Sequence, residues 1–150
     1  MKIILMSIRE GRPAKNREMA ALVDLYLGRA AKYSATEAQV TSSEAEFWAW
    51  IERQSARTPA VTILLDSRGK QLSSEQLAER FGQLQRDSAQ MVVLAIGPAD
   101  GWSDASHRRA SQLLSLGPMT LPHELARVVL AEQIYRALTI LAGHPYHSGH

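Results

Sequence analysis

The sequence predicts one α/β domain, a layer sandwich built on a mostly parallel sheet. Two continuous apolar runs, residues 60–65 and 91–96, lack polar-apolar alternation, which is the pattern of strands covered by helices on both faces. Segments of helical spacing separate them, so strand and helix alternate along the chain. The length, 150 residues, suits one core, and no linker or low-complexity stretch divides it.

Each element carries its own signal. Lys2–Ile8 is a short apolar strand. Pro13 opens a helix, because a missing N–H costs nothing in the first turn, and Met19, Leu22, Val23, Tyr26 and Leu27 recur at the spacing of one buried stripe. That helix ends across residues 28–33, and Thr36–Thr41 is a weak second strand. Ser43 with Glu46 resembles a capping box for a helix bearing Phe47, Trp48, Trp50 and Ile51. Its tryptophans read as anchors of a core or an interface rather than as a platform for stacked bases.

Asp66, Gly69 and Lys70 close the run 60–65, and residues 73–87 form a helix with Leu77, Phe81 and Leu84 on one side. After the run 91–96, the segment from Gly97 to Gly101 breaks the chain before a helix capped by Ser103 or Asp104. Residues 113–116 make a short fifth strand, Gly117 and Pro118 turn the chain, and Pro122 opens the longest helix, which reaches about residue 141. Leu125, Val128, Val129, Leu130, Ile134, Leu138, Ile140 and Leu141 leave that helix apolar on most sides. It is therefore buried in the core, in a subunit interface, or in both. Glu132 and Arg136 have the four-residue spacing of a pair along its polar stripe.

Composition excludes several classes. With 17 Lys and Arg against 15 Asp and Glu the formal charge is +2, and 45% of residues are hydrophobic, which rules out disorder, collagen and coiled coil. There is no cysteine, so disulfide frameworks, thiolate zinc sites, iron–sulfur clusters and thiol nucleophiles are excluded together, and a cytoplasmic location is expected. No apolar run approaches the ~20 residues that span a bilayer, and the apolar start is too short for a signal peptide.

Charge is uneven in place. Lys2, Arg9, Arg12, Lys15 and Arg17 face only Glu10 in the amino-terminal segment, the pattern of a phosphate footprint or of a solvated helix start. All five histidines lie at or beyond His107, with His144, His147 and His150 at the end. His144 and His147 have a proline between them and no thiol or carboxylate nearby in sequence, so no metal site is expected.

The fold class locates the site before any motif does. In open α/β sheets ligands bind outside the carboxyl ends of the strands, so the loops after Leu65, Ile96 and Leu116 are the candidates. Gly97 and Gly101 do not make a dinucleotide fingerprint, and Gly69-Lys70 lacks the rest of a Walker sequence. Neither a Rossmann cofactor nor nucleotide hydrolysis fits.

Several stretches together resemble one known family. They are Leu65-Asp66-x-x-Gly69-Lys70, Ile96-Gly97-x-x-x-Gly101, the run from Leu116 through His123, the segment Arg127-Val128-Val129-Leu130-x-Glu132-Gln133-x-Tyr135-Arg136-Ala137, and His144-Pro145-Tyr146-His147. Over its whole length the chain resembles the RlmH (YbeA-like) family of SPOUT-class methyltransferases, which act at N3 of a pseudouridine in 23S ribosomal RNA. The resemblance implies an α/β fold with a carboxyl-terminal trefoil knot, S-adenosyl-L-methionine as cofactor, and a homodimer in which one subunit's tail completes the other's site. Carried over by residue, the cofactor contacts are Leu65, Gly97, Gly117, Pro118, Met119, Thr120, Leu121 and Pro122. Glycine at Gly97 and Gly117 would let backbone approach the adenosine closely.

Two departures from the family pattern stand out. Pro98 replaces the second of paired glycines, and Ser148-Gly149-His150 follows Tyr146-His147 where relatives have a cation. N3 of a uracil-type base must lose a proton before it attacks, which calls for a base or a cationic field. Tyr146 and His147 are the expected catalytic residues, acting in trans, with Arg127 or Arg136 as sources of field, and Arg9, Arg12, Lys15 and Arg17 are the expected RNA contacts. The expected partners are 23S rRNA, within the ribosome or large subunit, and a second copy of the chain, without membrane or metal. Two alternatives stay open: the same chemistry on a different RNA, and a ribosome- or RNA-binding module without turnover.

Overall fold

The computed structural model describes residues 1–9 and 16–148. Five parallel strands, β1 (Lys2–Ile8), β2 (Thr36–Thr41), β3 (Val61–Gln71), β4 (Met91–Ile96) and β5 (Gln112–Ser115), form one sheet in the order β2-β1-β4-β3-β5. The helices are α1 (Arg17–Ala30), α2 (Glu44–Gln54), α3 (Ser74–Arg86), α4 (Asp104–Arg109) and α5 (His123–Ala142). Alternate residues of β1 explain the layering: Ile3 and Leu5 join a core with α1, α3 and α5, while Ile4, Met6 and Ile8 join one with α2 and Trp102. β4 divides its side chains in the same way, so the apolar runs are strands buried on both faces.

Several expected boundaries shift for identifiable reasons. α1 begins at Arg17 because the Asn16 side chain accepts from the Met19 N–H at 3.1 Å, and the expected opening at Pro13 lies outside the described residues. Ser43 caps α2, but Glu46 reaches back to the backbone N–H of Ser42, one residue short of the reciprocal bond of a capping box. Ser73 and Gln76 do complete such a box at α3. Trp48 is a core anchor, its indole N–H donating to Ser106 Oγ at 2.8 Å.

β3 does not end at Asp66. Leu114 of β5 pairs first with Leu65 and again with Lys70, so residues 66–69 leave the ladder and the strand resumes to Gln71. Asp66 folds the excursion by accepting from the Arg68 backbone N–H at 2.8 Å. A Cβ on Gly69 would lie 2.6 Å from the Leu114 backbone nitrogen, so only glycine lets the strand rejoin.

The apolar girth of α5 is explained largely within one chain. Val128, Leu130, Ala131, Ile134, Ala137 and Leu138 are buried between the sheet, α1 and α3, while Leu125, Val129 and Ile140 are half-buried and Leu141 is exposed. Gly143, with φ at +71°, ends the helix in the left-handed conformation. No helix among the described residues is long and apolar enough to cross a membrane.

Candidate active site

The carboxyl ends of β3, β4 and β5 open into two adjoining cavities. One of about 320 Å³ is lined by Leu65, Ile96, Gly117, Pro118, Met119, Thr120 and Leu121 among others. The other, about 430 Å³, is lined by Leu65, Ile96, Gly97, Pro98, Trp102, Leu121 and His123 among others. Asp66 and Ala126 line both. Seven of the eight residues expected at the cofactor therefore meet here, and Pro122 instead sits at the N-cap of α5.

The two glycines serve different ends. Gly117 has φ at +123° with open space beside it, so its backbone conformation is what demands glycine. At Gly97 a Cβ would lie 2.7 Å from Trp102 Nε1. The indole N–H donates to the Leu65 carbonyl at 3.1 Å, so Gly97 makes room for a tryptophan that ties two cavity walls together. The Trp102 side chain thus already requires glycine at this position. Pro98 opens a tight turn, its carbonyl accepting from the Gly101 N–H at 2.8 Å.

Asp66, on the wall, is paired with His107 of α4, Oδ2 to Nε2 at 2.5 Å, and both side chains are nearly buried. Burial alone would raise the Asp66 carboxyl; the hydrogen bonds from the Arg68 N–H and His107, with the charge of His107, carry it below the ordinary aspartate value.

The expected catalytic pair lies elsewhere in the same chain. Tyr146 donates to Glu132 Oε1 at 2.9 Å, its ring packs 4.5 Å from that of Tyr135, and the Arg136 guanidinium sits 4.8 Å from its centroid. Burial, then donation to Glu132, pushes the phenol up to about 12. His147 Nε2 is 2.7 Å from Glu75 Oε1 and its Nδ1 3.0 Å from Arg136 Nη1. Arginine only donates, so Nδ1 accepts and Nε2 carries the proton given to Glu75. The expected Glu132–Arg136 pair is present at 2.6 Å, and Glu132 thus holds both the field source and the tyrosine.

Neither Tyr146 nor His147 lines the two cavities. Between them lies a further cavity of about 320 Å³, reaching from Leu116 and Gly117 to Ser74 and Gln133. Arg127 is apart from the tail, paired with Glu124 at 3.3 Å. Of the expected RNA contacts, Arg17 is exposed at the start of α1, Arg9 is half-buried against Glu124 at 2.8 Å, and Arg12 and Lys15 lie outside the described residues. Asp66 stands in a sequence motif, but its pairing with His107 and that of Glu75 with His147 join residues distant along the chain and leave no local signal. Among the described residues no three His, Cys, Asp or Glu side chains converge as metal ligands would.

A parallel sheet with ligand-sized cavities against its strand ends is that of an α/β ligand-binding or group-transfer protein. A family model described as "Predicted SPOUT methyltransferase" matches residues 1–147. The ribosomal RNA large subunit methyltransferase H of Koribacter versatilis is 47% identical over 147 residues, 97% of this chain and 100% of that one. The protein of the same name from Sinorhizobium fredii is 44% identical over 135 residues, 90% of this chain and 79% of that one. The chain belongs to the SPOUT methyltransferases, in the family of these large subunit methyltransferases H.

Solved structures share the fold at low identity. A putative RNA methyltransferase from Bacillus anthracis aligns with TM-score 0.53 and 10% identity over 98% of this chain and 99% of that one. The SpoU methyltransferase AviRb from Streptomyces viridochromogenes, solved in complex with AdoMet, aligns with TM-score 0.51 and 16% identity over 95% of this chain and 58% of that one.

Proposed function

We propose that residues 1–150 act as one methyltransferase domain in the cytoplasm, methylating N3 of a pseudouridine in 23S rRNA with S-adenosyl-L-methionine, as a homodimer. The observation that carries this reading is the convergence of Leu65, Gly97, Gly117, Pro118, Met119, Thr120 and Leu121 on one pair of cavities. The names of the 47% and 44% identical relatives support ribosomal RNA as substrate. A carboxyl-terminal trefoil knot is part of the same proposal.

The cavities fit the cofactor in size and chemistry. Leu65, Ile96, Leu121 and Ala126 offer an apolar wall for an adenine, and Asp66 offers an anionic acceptor for ribose hydroxyls. When bound, S-adenosylmethionine supplies an electrophilic methyl group for in-line displacement. The chain's own task is to hold the acceptor nitrogen in line and to take its proton.

His147 suits proton removal. Glu75 accepts from Nε2 and leaves Nδ1 as the basic nitrogen, which now faces Arg136 and must be released from it to act. Tyr146 stays a neutral phenol at physiological pH, so it stacks or donates and is not the base. Arg136, held charged by Glu132, supplies the cationic field for the N3 anion. The tail and the cavities do not meet within one chain, which favours a site completed by a second subunit.

The test is incubation of purified protein, labelled cofactor and ribosomes, followed by mass spectrometry of nucleosides. Methyl label in N3-methylpseudouridine from 23S rRNA is expected. Label in another nucleoside, or none, overturns the assignment.

A further inference from the structure

Buried polar atoms without partners point to a second feature of the site. Among the described residues these are Ser7 Oγ, Arg9 Nε, Thr41 Oγ1, His123 Nε2 and Arg127 Nε. Arg9, His123 and Arg127 surround one carboxylate, Glu124, at 2.8, 3.7 and 3.3 Å. Ser7 lies two residues before Arg9 on β1 and pairs in register with Ile96, which lines both cavities. Four of the five orphaned atoms therefore gather at the carboxyl end of β1 and the start of α5.

Among the described residues the charges there do not balance. Two guanidinium groups share one carboxylate, and Arg127 is only 6% exposed. Burial, then the charge of Arg9, holds the Arg127 guanidinium below its ordinary value, and Glu124, then Asp24 of α1, offset this only in part. An excess buried cation is costly unless an anion pairs with it. The start of α5 has no side-chain cap, so its free N–H groups add positive potential at the same place. His123 also lines the larger cavity.

We propose that Arg9, His123 and Arg127 form an oxyanion site beside the methyl-transfer cavity, and that it takes a backbone phosphate of the substrate RNA. A phosphate suits paired guanidinium groups, which donate to it in a planar fork. The choice of RNA rests on the function proposed above. It is favoured by the position of Arg9 at the head of the basic segment that continues through Arg12, Lys15 and Arg17.

The experiment uses the full chain, as wild type, Arg127→Met and Arg9→Met, and binds a labelled RNA hairpin over a series of salt concentrations. Each variant should lower the slope of log affinity against log salt by roughly one, the signature of one lost phosphate contact. The melting temperature of Arg127→Met should not fall, since an apolar side chain replaces an excess buried charge, and inorganic phosphate should raise the melting temperature of wild type but not of this variant. Unchanged slopes in both variants overturn the proposal. So does a tenfold or greater loss of cofactor affinity with slopes unchanged, which assigns the site to the cofactor's carboxylate. If Arg127→Met fails to fold, Arg9→Met carries the test alone. The readouts are binding and melting, so lowered slopes in the variants together with no methyl transfer by the wild type keep the oxyanion site and lose the methyltransferase reading.

Discussion

His147 Nε2 lies 2.7 Å from the carboxylate of Glu75, a residue 72 positions earlier at the start of α3. The contact fixes the histidine's tautomer and turns Nδ1 towards Arg136 at 3.0 Å. An exposed carboxylate contributes little to stability in such a pair, but it decides which nitrogen is basic.

Replacing Glu75 by Ala should therefore leave the melting temperature nearly unchanged and lower turnover about tenfold, since the imidazole loses its orienting partner. Thermal melts and steady-state kinetics on ribosomes check this. Donation from His147 lowers the Glu75 carboxyl, so the contact stabilises the fold above the ordinary glutamate value and is lost as pH falls through the folded one.

Tyr146 gives the opposite pH signature. Its phenol is raised from 10.0 to about 12, so its contribution is fully present below pH 10 and disappears as pH rises towards 12. A spectrophotometric titration of phenolate should show a late tyrosine in the wild type that is missing from Tyr146→Phe.

Deleting residues 146–150 should cost about 1–2 kcal/mol, not nothing. By sequence the tail is short and polar with no apolar stripe to bury, which predicts a small contribution to stability. In the structure the Tyr146 ring covers Tyr135 and its hydroxyl donates to Glu132, and both contacts are lost on deletion. Denaturant melts of full-length and truncated chains measure the difference.

The legible parts of the fold were those fixed by local pattern. β1 and β4 are buried on both faces and so read as plain apolar runs, and Ser73 and Ser103 mark helix starts by their own side chains. The continuation of β3 to Gln71 was hidden, because residues 66–69 have the polar, glycine-bearing look of a turn and rejoin the sheet only through β5. The loops that line the two cavities could be located from strand ends and motif, whereas Asp66–His107 and Glu75–His147 join residues far apart in the chain. Arg127 reads from sequence only as a source of cationic field, and its burial depends on elements distant along the chain.

Leu121 lines both cavities and is half-buried, so Leu121→Trp should fill them and abolish the rise in melting temperature that saturating S-adenosylmethionine gives the wild type. Gly97→Ala should act differently. Its Cβ would press on Trp102 and destabilise the free protein by roughly 1–3 kcal/mol. A full cofactor shift in Leu121→Trp would place the cofactor elsewhere.

The most direct measurement concerns whether tail and cavity form one site across two subunits. A mixed dimer is prepared from one Leu121→Trp chain and one chain lacking residues 146–150, with pairing verified by sedimentation, and its methyl transfer to ribosomes is compared with both parent homodimers. A shared site leaves one of two sites intact, so about half the wild-type rate is expected from a mixture of two inactive parents. A verified mixed dimer with no activity contradicts the shared site and leaves Tyr146 and His147 to serve their own chain.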